Sequence, residues 1–282
     1  MARSAILNVM TQAAMKAGRS LTRDFGEVQN LQVSLKGPAD YVSAADRKAE
    51  DIVYQELARA RPDWGFLMEE RGAIEGKDSQ HRWLVDPLDG TTNFLHGIPM
   101  FAVSIALERD GEIVAGVVFN PAADELYSAE KGGGAFMNDR RIRVAARTKL
   151  HEGLFGTGAP FLGHGDHARF LFEMRHVMTQ SSGIRRIGSA ALDLCYVAAG
   201  RLDGFWERDL KPWDIAAGAV IIREAGGFVS NADGGKFDHI AGDVACGNET
   251  MHRQLVEQLK TAGAAYRGSK APPAAPAAEP SA

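Results

Sequence analysis

The stretch Arg82–Phe94, with the sequence RWLVDPLDGTTNF, decides how the rest of the chain is interpreted. Trp83 to Val85 form a short apolar run bounded by turn residues, the pattern of a buried strand, and Asp86 follows directly. Asp89 comes three residues later, before a Gly-Thr-Thr turn that could open a short helix. The sequence therefore predicts two carboxylates and several free backbone N–H groups aimed at one point.

Such an arrangement suits two kinds of ligand. Carboxylates suit a hard divalent cation, and the N–H groups of Gly90 and Thr91 suit a phosphate. The ordinary alternative is a surface turn, because Asp-Gly is a common hairpin signal. That alternative weakens only if other parts of the chain supply matching ligands.

Composition excludes several classes of protein. The chain has 282 residues, 45% of them apolar and 24% charged, as in an ordinary soluble globular protein of one or two domains. The net charge of −4 predicts neither direct nucleic-acid binding nor an anionic membrane partner. No run approaches the roughly 18 apolar residues of a membrane span, and the N-terminus does not resemble a signal peptide. Cys195 and Cys246 are predicted to be buried thiols, so we expect a cytoplasmic protein.

A second acidic strand end precedes the central stretch. Phe66 to Met68 form another short apolar run, which stops at Glu69-Glu70. Two adjacent acids after a strand usually mark a solvated sheet edge. If the 66–68 and 83–85 strands are neighbours, however, both acidic ends fall on the same rim.

Two further acids have ordinary explanations as helix caps. Ser43-Ala-Ala-Asp46 matches a capping box, and Asp214 lies in the first turn of a helix that begins near Trp213. Read alone, each acid is predicted to compensate a helix N-terminus. Ser189 is an N-cap candidate for an apolar helix, whose start could also face a polar ligand.

The order of elements indicates a mixed fold. Residues 4–25 are predicted to form an amphipathic helix, and residues from about 100 to 144 to form a meander of short strands. From about residue 146 strands and helices alternate, including a strand over Leu202–Trp206 that ends at Glu207. Residues 263–282 are rich in Ala and Pro, and we expect a disordered tail there.

The joint pattern resembles one family. Glu69-Glu70, then DPLDGTTNF at 86–94, then WDIAAG at 213–218 with a Gly-Gly stop, resemble the inositol monophosphatase family, among the lithium-sensitive, magnesium-dependent phosphatases. The resemblance covers nearly all of the chain up to about residue 262. It implies a layered αβαβα sandwich of the inositol monophosphatase / fructose-1,6-bisphosphatase type. An N-terminal α+β half (1–145) would carry most metal ligands, and a C-terminal α/β half (146–262) would carry Asp214 and the ring contacts.

The resemblance also implies roles for individual residues. The metal ligands for Mg²⁺ would be Glu69, Asp86, the carbonyl of Leu88, Asp89 and Asp214. The catalytic residues would be Thr91, Asp46 and Glu69, with the Thr91 hydroxyl paired with Asp46. The substrate-binding residues would be Gly90, Thr91, Gly188, Ser189, Ala190, Glu207 and Asp214. Four carboxylates at one site could not all stay ionised without cations, and all-oxygen ligands favour Mg²⁺.

The implied activity is Mg²⁺-dependent hydrolysis of inositol 1-phosphate to inositol and phosphate. One alternative is a phosphatase for another small sugar or alcohol phosphate, such as histidinol phosphate or fructose bisphosphate. Another is a protein partner of the transcription machinery, because bacterial members with a segment like RRIGSAALDL (185–194) can associate with it. An inactive relative is disfavoured by the complete ligand set. The resemblance further implies a homodimer, and Met68 departs from the glycine that many relatives have there.

Overall fold

A computed structural model describes residues 4–27, 33–37 and 40–270 of the chain. The helices of this part are α1 (Ala5–Phe25), α2 (Ala44–Ala60), α3 (Thr91–Leu95), α4 (His167–Met178), α5 (Ala190–Ala198), α6 (Pro212–Glu224) and α7 (Glu249–Lys270). Its first ten strands are β1 (Val33–Gly37), β2 (Asp40–Ser43), β3 (Trp64–Met68), β4 (Gly72–Ile74), β5 (Asp78–Asp89), β6 (Ala102–Arg109), β7 (Glu112–Asn120), β8 (Glu125–Glu130), β9 (Gly134–Met137) and β10 (Arg140–Arg141). The later strands are β11 (Leu154–Thr157), β12 (Gly183–Arg185), β13 (Gly204–Glu207), β14 (Phe228–Ser230) and β15 (Val244–Gly247).

The larger sheet has eight strands in the order β10-β9-β8-β7-β6-β5-β3-β4. Consecutive strands from β5 to β10 pair antiparallel, which confirms the predicted meander. Strand β3 instead pairs parallel to β5, with Phe66 opposite Trp83 and Met68 opposite Val85. The predicted pairing of the two apolar runs is therefore confirmed, and their acidic ends lie at the same edge of the sheet.

The smaller sheet has five strands in the order β12-β11-β13-β15-β14. Strands β12, β11 and β13 are parallel to one another, and β15 and β14 continue the sheet antiparallel. Because the connections that lead to parallel strands must cross over the sheet, helices intervene between them. This agrees with the alternation of strands and helices that the sequence predicts after residue 146.

The two sheets alternate with three layers of helices. Helices α1 and α2 pack on the outer face of the large sheet, α5 and α6 lie between the sheets, and α4 and α7 cover the small sheet. Side-chain alternation along β5 explains this, since Trp83 and Val85 join the outer core whereas Leu84 joins the core between the sheets. The αβαβα layering implied by the resemblance is confirmed.

Two predictions from the sequence are wrong. A strand expected over Ile142–Val144 is absent; β10 ends at Arg141, and the Val144 N–H donates instead to the carbonyl of Ala225 at 3.2 Å. The predicted tail begins too early, because α7 continues past residue 263 to Lys270. Residues 271–282 lie outside the described part of the chain.

Packing against α4 explains the longer last helix. The Tyr266 side chain is only 8% exposed; its ring lies 5.7 Å from that of Phe172, and its hydroxyl donates to Asp166 at 2.6 Å. An aromatic anchor of this kind outweighs the glycine and the small residues around it. Among the described helices, none combines the length and the apolar character needed to span a membrane.

Candidate active site

The two aspartates of the central stretch lie in an irregular part of β5. Pairing with β6 is regular up to Asp86 and resumes only at Asp89, opposite Ala102. Pro87 has no N–H to donate, and the Leu88 N–H donates to Asp86 Oδ1 at 2.8 Å instead of to a neighbouring strand. The sequence predicts that Pro87 ends the strand, but the strand continues through the irregularity, which directs both carboxylates to one side of the sheet edge.

Glu69 joins Asp86 at this edge. Its backbone N–H donates to the carbonyl of Val85 at 3.2 Å, just beyond the end of β3. The Glu69 and Asp86 carboxyl groups share a hydrogen bond. Burial raises the pKa of Asp86 well above its usual value, and the charges of Glu69, Asp89 and Asp214 raise it further. All four predicted acidic ligands therefore lie close enough to interact electrostatically.

Asp89 is held by the start of α5, a hundred residues later in the chain. Its Oδ2 accepts hydrogen bonds from Ser189 Oγ at 2.5 Å and from the Ala191 N–H at 2.7 Å. Burial raises the pKa of Asp89 to about 6, although these hydrogen bonds act in the opposite direction. Ser189 is also the N-cap that the sequence predicts, since its Oγ accepts from the Leu192 N–H at 3.3 Å.

Asp214 enters the same site from α6. Pro212 opens this helix, and the Lys211 N–H donates to Asp214 Oδ2 at 2.8 Å, so the predicted capping role is real. Burial raises the pKa of Asp214 well above its usual value, and the charge of Asp89 raises it further. Asp214 therefore caps α6 and also lies close enough to Asp89 to interact with it electrostatically.

Thr91 and Asp46 are in direct contact. The Thr91 hydroxyl lies 2.9 Å from Asp46 Oδ1 and 3.0 Å from the carbonyl oxygen of Leu88, and it can donate its proton to either. Asp46 Oδ2 meanwhile accepts from the Ser43 N–H at 2.8 Å, which completes the capping box of α2. The carboxylate of Asp46 thus connects the helix cap to the central turn.

A cavity of about 200 Å³ lies between these groups and α5. It is lined by several predicted substrate contacts, namely Gly90, Thr91, Gly188, Ser189, Ala190 and Glu207. An adjoining cavity of about 630 Å³ shares Glu69 and Glu207 with it and also reaches Asp214. Asp46, Asp86 and Leu88 line neither cavity and are almost fully buried behind the wall.

Gly90 cannot be replaced by a larger residue without a change in the cavity wall. Its φ is +91°, and a Cβ at this position would lie 2.8 Å from the carbonyl oxygen of Met100. Asn93 supports the same turn, because its Nδ2 donates to the carbonyls of Met100 at 2.8 Å and Ile187 at 2.9 Å. Sequence reasoning does not assign Asn93 a role, since its contact with Ile187 spans 94 positions.

Arg186 and Asp193 also line the small cavity and are absent from the predicted set. Asp193 is 1% exposed, and its Oδ1 has no hydrogen-bond partner within the described part of the chain. Burial and the charge of Asp89 raise the pKa of Glu207 to about 8, against the opposing effect of Arg186. The segment RRIGSAALDL could have drawn attention to both residues, but a single acid inside an apolar helix carries no signal of its own.

The donor set suits a hard cation. The carboxylates of Glu69, Asp86, Asp89 and Asp214 and the carbonyl of Leu88 are all oxygen donors. Within the described ranges, no three acidic, His or Cys side chains form a group that could hold an ion by themselves. Mg²⁺ does not require such a group, because it keeps several waters and takes one or two carboxylates together with substrate phosphate. The residues present therefore fit this ion.

Comparison with known proteins agrees with the fold. The model of the inositol monophosphatase family matches residues 2–264. A Mesorhizobium japonicum protein named inositol-1-monophosphatase is 71% identical over 260 residues, which are 92% of this chain and 98% of that protein. A Pasteurella multocida protein named Nus factor SuhB is 40% identical over 255 residues, which are 90% of this chain and 96% of that protein.

A solved structure has the same fold. The extragenic suppressor protein suhB from Bartonella henselae superposes with a TM-score of 0.89 at 63% identity, covering 91% of this chain and 99% of that one. The layered fold and these similarities define the class of the protein, which is a phosphatase. Within that class, the chain belongs to the inositol monophosphatase family, a family of metal-dependent phosphatases.

Proposed function

We propose that this protein hydrolyses inositol 1-phosphate to inositol and phosphate with Mg²⁺ as cofactor. The observation that carries the proposal is the convergence of four acids from β3, β5 and α6 beside a cavity of about 200 Å³. The name of the Mesorhizobium japonicum relative supports inositol phosphate as the substrate.

The metal ligands in this proposal are Glu69, Asp86, the Leu88 carbonyl, Asp89 and Asp214. Bound Mg²⁺ would supply positive charge that stabilises the phosphoryl oxygens and the departing alkoxide. The protein's own part is to orient these acids, whose ionisation depends on the bound cation because burial raises the pKa of Asp86, Asp89 and Asp214. Ser189 and the start of α5 fix Asp89, and the Lys211 N–H fixes Asp214.

Thr91 and Asp46 handle the attacking water in this scheme. The Thr91 hydroxyl, 2.9 Å from Asp46 Oδ1, can pass its proton to that carboxylate while its oxygen accepts one from the water. The water oxygen forms a bond to phosphorus as the bond from phosphorus to the alcohol oxygen breaks, and the departing alkoxide takes a proton from a solvent water. The backbone N–H groups around Gly90 and Thr91 hold the phosphate, and Glu69 completes the catalytic set with its carboxylate beside Asp86.

The alcohol part of the substrate would occupy the opposite wall of the cavity. Gly188, Ser189 and Ala190 line it at the start of α5, and Glu207 lies at the end of β13. A polyol presents several hydroxyl donors, and a carboxyl group offers acceptors for them. Glu207 and Asp214 are thus the residues that we expect to contact ring hydroxyls.

A substrate panel tests this proposal. Phosphate release would be measured from inositol 1-phosphate, histidinol phosphate, fructose 1,6-bisphosphate and glycerol 2-phosphate, each with Mg²⁺ and with EDTA. The proposal predicts the highest kcat/KM for the inositol ester and no release in EDTA. A higher kcat/KM for another ester would identify that ester as the better substrate. Phosphate release in EDTA would overturn the metal mechanism.

The second candidate function is association with the transcription machinery. It is favoured by the 40% identity to the Pasteurella multocida protein whose name is Nus factor SuhB. The net charge of −4 favours contact through proteins instead of nucleic acid. A pull-down against purified RNA polymerase and its elongation factors tests this candidate, and retention of none of them would exclude it.

Three further properties follow from the family resemblance. We propose that the protein is cytoplasmic, forms a homodimer and is inhibited by lithium. Mass measurement in solution tests the dimer, and a lithium titration of phosphate release tests the inhibition. A monomeric mass would contradict the dimer. Phosphate release that stays unchanged at the highest lithium concentration of the titration would contradict the inhibition.

A further inference from the structure

Two glycines on β11 and just after it make room for two carboxyl groups. Gly156 and Gly158 are two residues apart, so in an extended segment they face the same way. A Cβ on Gly156 would lie 2.5 Å from Asp193 Oδ1, and a Cβ on Gly158 would collide with the carboxyl group of Glu207. The absence of side chains at both positions therefore lets two acids approach the same stretch of backbone.

Asp193 occupies this space with one carboxyl oxygen unsatisfied. It is 1% exposed, and among the described residues its Oδ1 has no hydrogen-bond partner. By contrast, the equally buried Asp203 accepts from Arg147 at 2.8 Å and from the Leu154 N–H at 2.9 Å. A buried carboxyl oxygen without a donor is unfavourable for folding, so its presence beside the cavity indicates a ligand that supplies the missing donor.

The position of Asp193 relates it to the substrate. It lines the small cavity together with Glu207 and the first residues of α5. Burial raises the pKa of Asp193, the charges of Glu207 and Asp89 raise it further, and Arg186 opposes them. The wall thus holds two carboxyl groups and one guanidinium, a set that can accept from and donate to several hydroxyls.

We propose that Asp193 is a specificity-determining residue that accepts a hydrogen bond from a second hydroxyl of a polyol phosphate, beside the hydroxyl bound by Glu207. This inference rests on the proposed function, because it concerns the alcohol part of the same substrate. Asp193 in this role favours esters of cyclic polyols with neighbouring hydroxyls over esters of short alcohols. A short alcohol held at the phosphate end gains nothing from Asp193.

Inhibition by free myo-inositol measures binding of the alcohol part alone, without the contribution of the phosphate. The inhibition constant would be measured with glycerol 2-phosphate as substrate, in the native protein and in Asp193→Ala and Asp193→Asn. We expect the constant to rise about tenfold in Asp193→Ala, the size of one hydrogen bond. Asp193→Asn keeps an acceptor oxygen, so its inhibition constant should rise less. In both variants the effect on the inhibition constant should exceed any effect on kcat/KM for glycerol 2-phosphate.

Two controls separate recognition from packing. Asp203→Asn removes an equally buried acid outside the cavity and should lower Tm without changing the inositol constant. Gly156→Ala leaves Asp193 present but places a Cβ 2.5 Å from its Oδ1, so it should also weaken inositol binding. An unchanged inositol constant in Asp193→Ala, or an equal loss for glycerol 2-phosphate, would overturn the inference.

Failure of the proposed function would look different. In that case the native protein would prefer another ester of the panel, and inositol would not inhibit it. The same two variants would then be assayed with the preferred ester against glycerol 2-phosphate and with its free alcohol as inhibitor. A loss confined to the preferred ester would support Asp193 as the determinant, and no selective loss would overturn it.

Discussion

Asp46 takes part in two structures at once. It completes the capping box of α2 with Ser43, and it lies 2.9 Å from the Thr91 hydroxyl. A cap residue contributes about 1 kcal/mol, whereas a positioned acid or base contributes about 10²–10⁴ in rate. The two roles are therefore separable by measurement.

Asp46→Asn should lower kcat by about two orders of magnitude, because the amide cannot take the proton from Thr91. Stability should fall by only about 1 kcal/mol, which chemical denaturation would measure. Ser4→Ala is the matched control, since Ser4 caps α1 through the Leu7 N–H at 3.1 Å, away from the site. It should lose similar stability and keep full activity; a normal kcat in Asp46→Asn would refute the proposed proton path.

Glu207 makes stability depend on pH. Burial raises its pKa from 4.5 to about 8, so between these values the folded protein holds a proton that the unfolded chain has released. Stability conferred by that proton is present at low pH and is lost as pH rises towards 8. The native protein should therefore lose stability across this range relative to a variant that cannot ionise.

In Glu207→Gln, Tm relative to the native protein should increase from pH 5 to pH 8, by about 2–4 °C for each kcal/mol. Calorimetry in EDTA would measure it. In the control Asp233→Asn, the difference should stay constant over this range. Burial raises the pKa of Asp233, but Arg208 lowers it overall, so this carboxylate is ionised throughout. Parallel Tm curves for Glu207→Gln and the native protein would show that the pKa of Glu207 is not raised.

At the scale of elements, α6 is positioned by a close approach to the large sheet. A Cβ on Gly116 of β7 would lie 2.7 Å from the carbonyl oxygen of Ala217. Ser104 of β6 adds a hydrogen bond from its Oγ to the carbonyl of Trp213 at 3.0 Å. These contacts place the first turn of α6, and with it Asp214, beside the acids of β5.

Gly116→Ala should push α6 away from the sheet. We expect a loss of about 1–3 kcal/mol in unfolding free energy, as for other overpacked cores, together with reduced activity. Gly268→Ala is the control, because nothing lies within 4 Å of a Cβ there and alanine favours the helix. Unchanged stability in Gly116→Ala would mean that α6 and the sheet are not packed as closely as described.

Across the whole molecule, the site joins parts that are distant in sequence. Asp89 is bonded to Ser189 and the Ala191 N–H, and Asn93 reaches the carbonyl of Ile187. We propose that the site lies between halves 1–145 and 146–262. A core shared by the two sheets then fixes the metal ligands against the ring contacts.

The local part of this arrangement follows from the sequence. Apolar runs that stop at Glu69 and at Asp86 predicted two neighbouring strands, and the capping pattern predicted the surroundings of Asp46 and Asp214. Local patterns carry no information about which distant elements meet, so the approach of Asp214 to Asp89 was implied only by the resemblance. Asp193 was missed because an acid inside an apolar helix has no periodic signal.

The extent of the last helix shows the same limit. Gly263 and the small residues after it predicted a disordered tail, since they offer little apolar surface. The single anchor Tyr266 packs on Phe172 of α4, and the helix continues to Lys270. A contact between α4 and α7 decided this boundary, and no window of sequence around residue 263 contains it.

The most direct test of the account is phosphate release from inositol 1-phosphate by the native protein and by Asp89→Asn, each titrated with Mg²⁺. Calorimetry would establish that the variant is folded. The account predicts that release requires Mg²⁺ and that Asp89→Asn loses several orders of magnitude in kcat/KM, because a ligand and the hydrogen-bonded link to α5 are both weakened. Release by Asp89→Asn at the native rate, or by the native protein in EDTA, would contradict the central claim that this acidic cluster binds the catalytic metal.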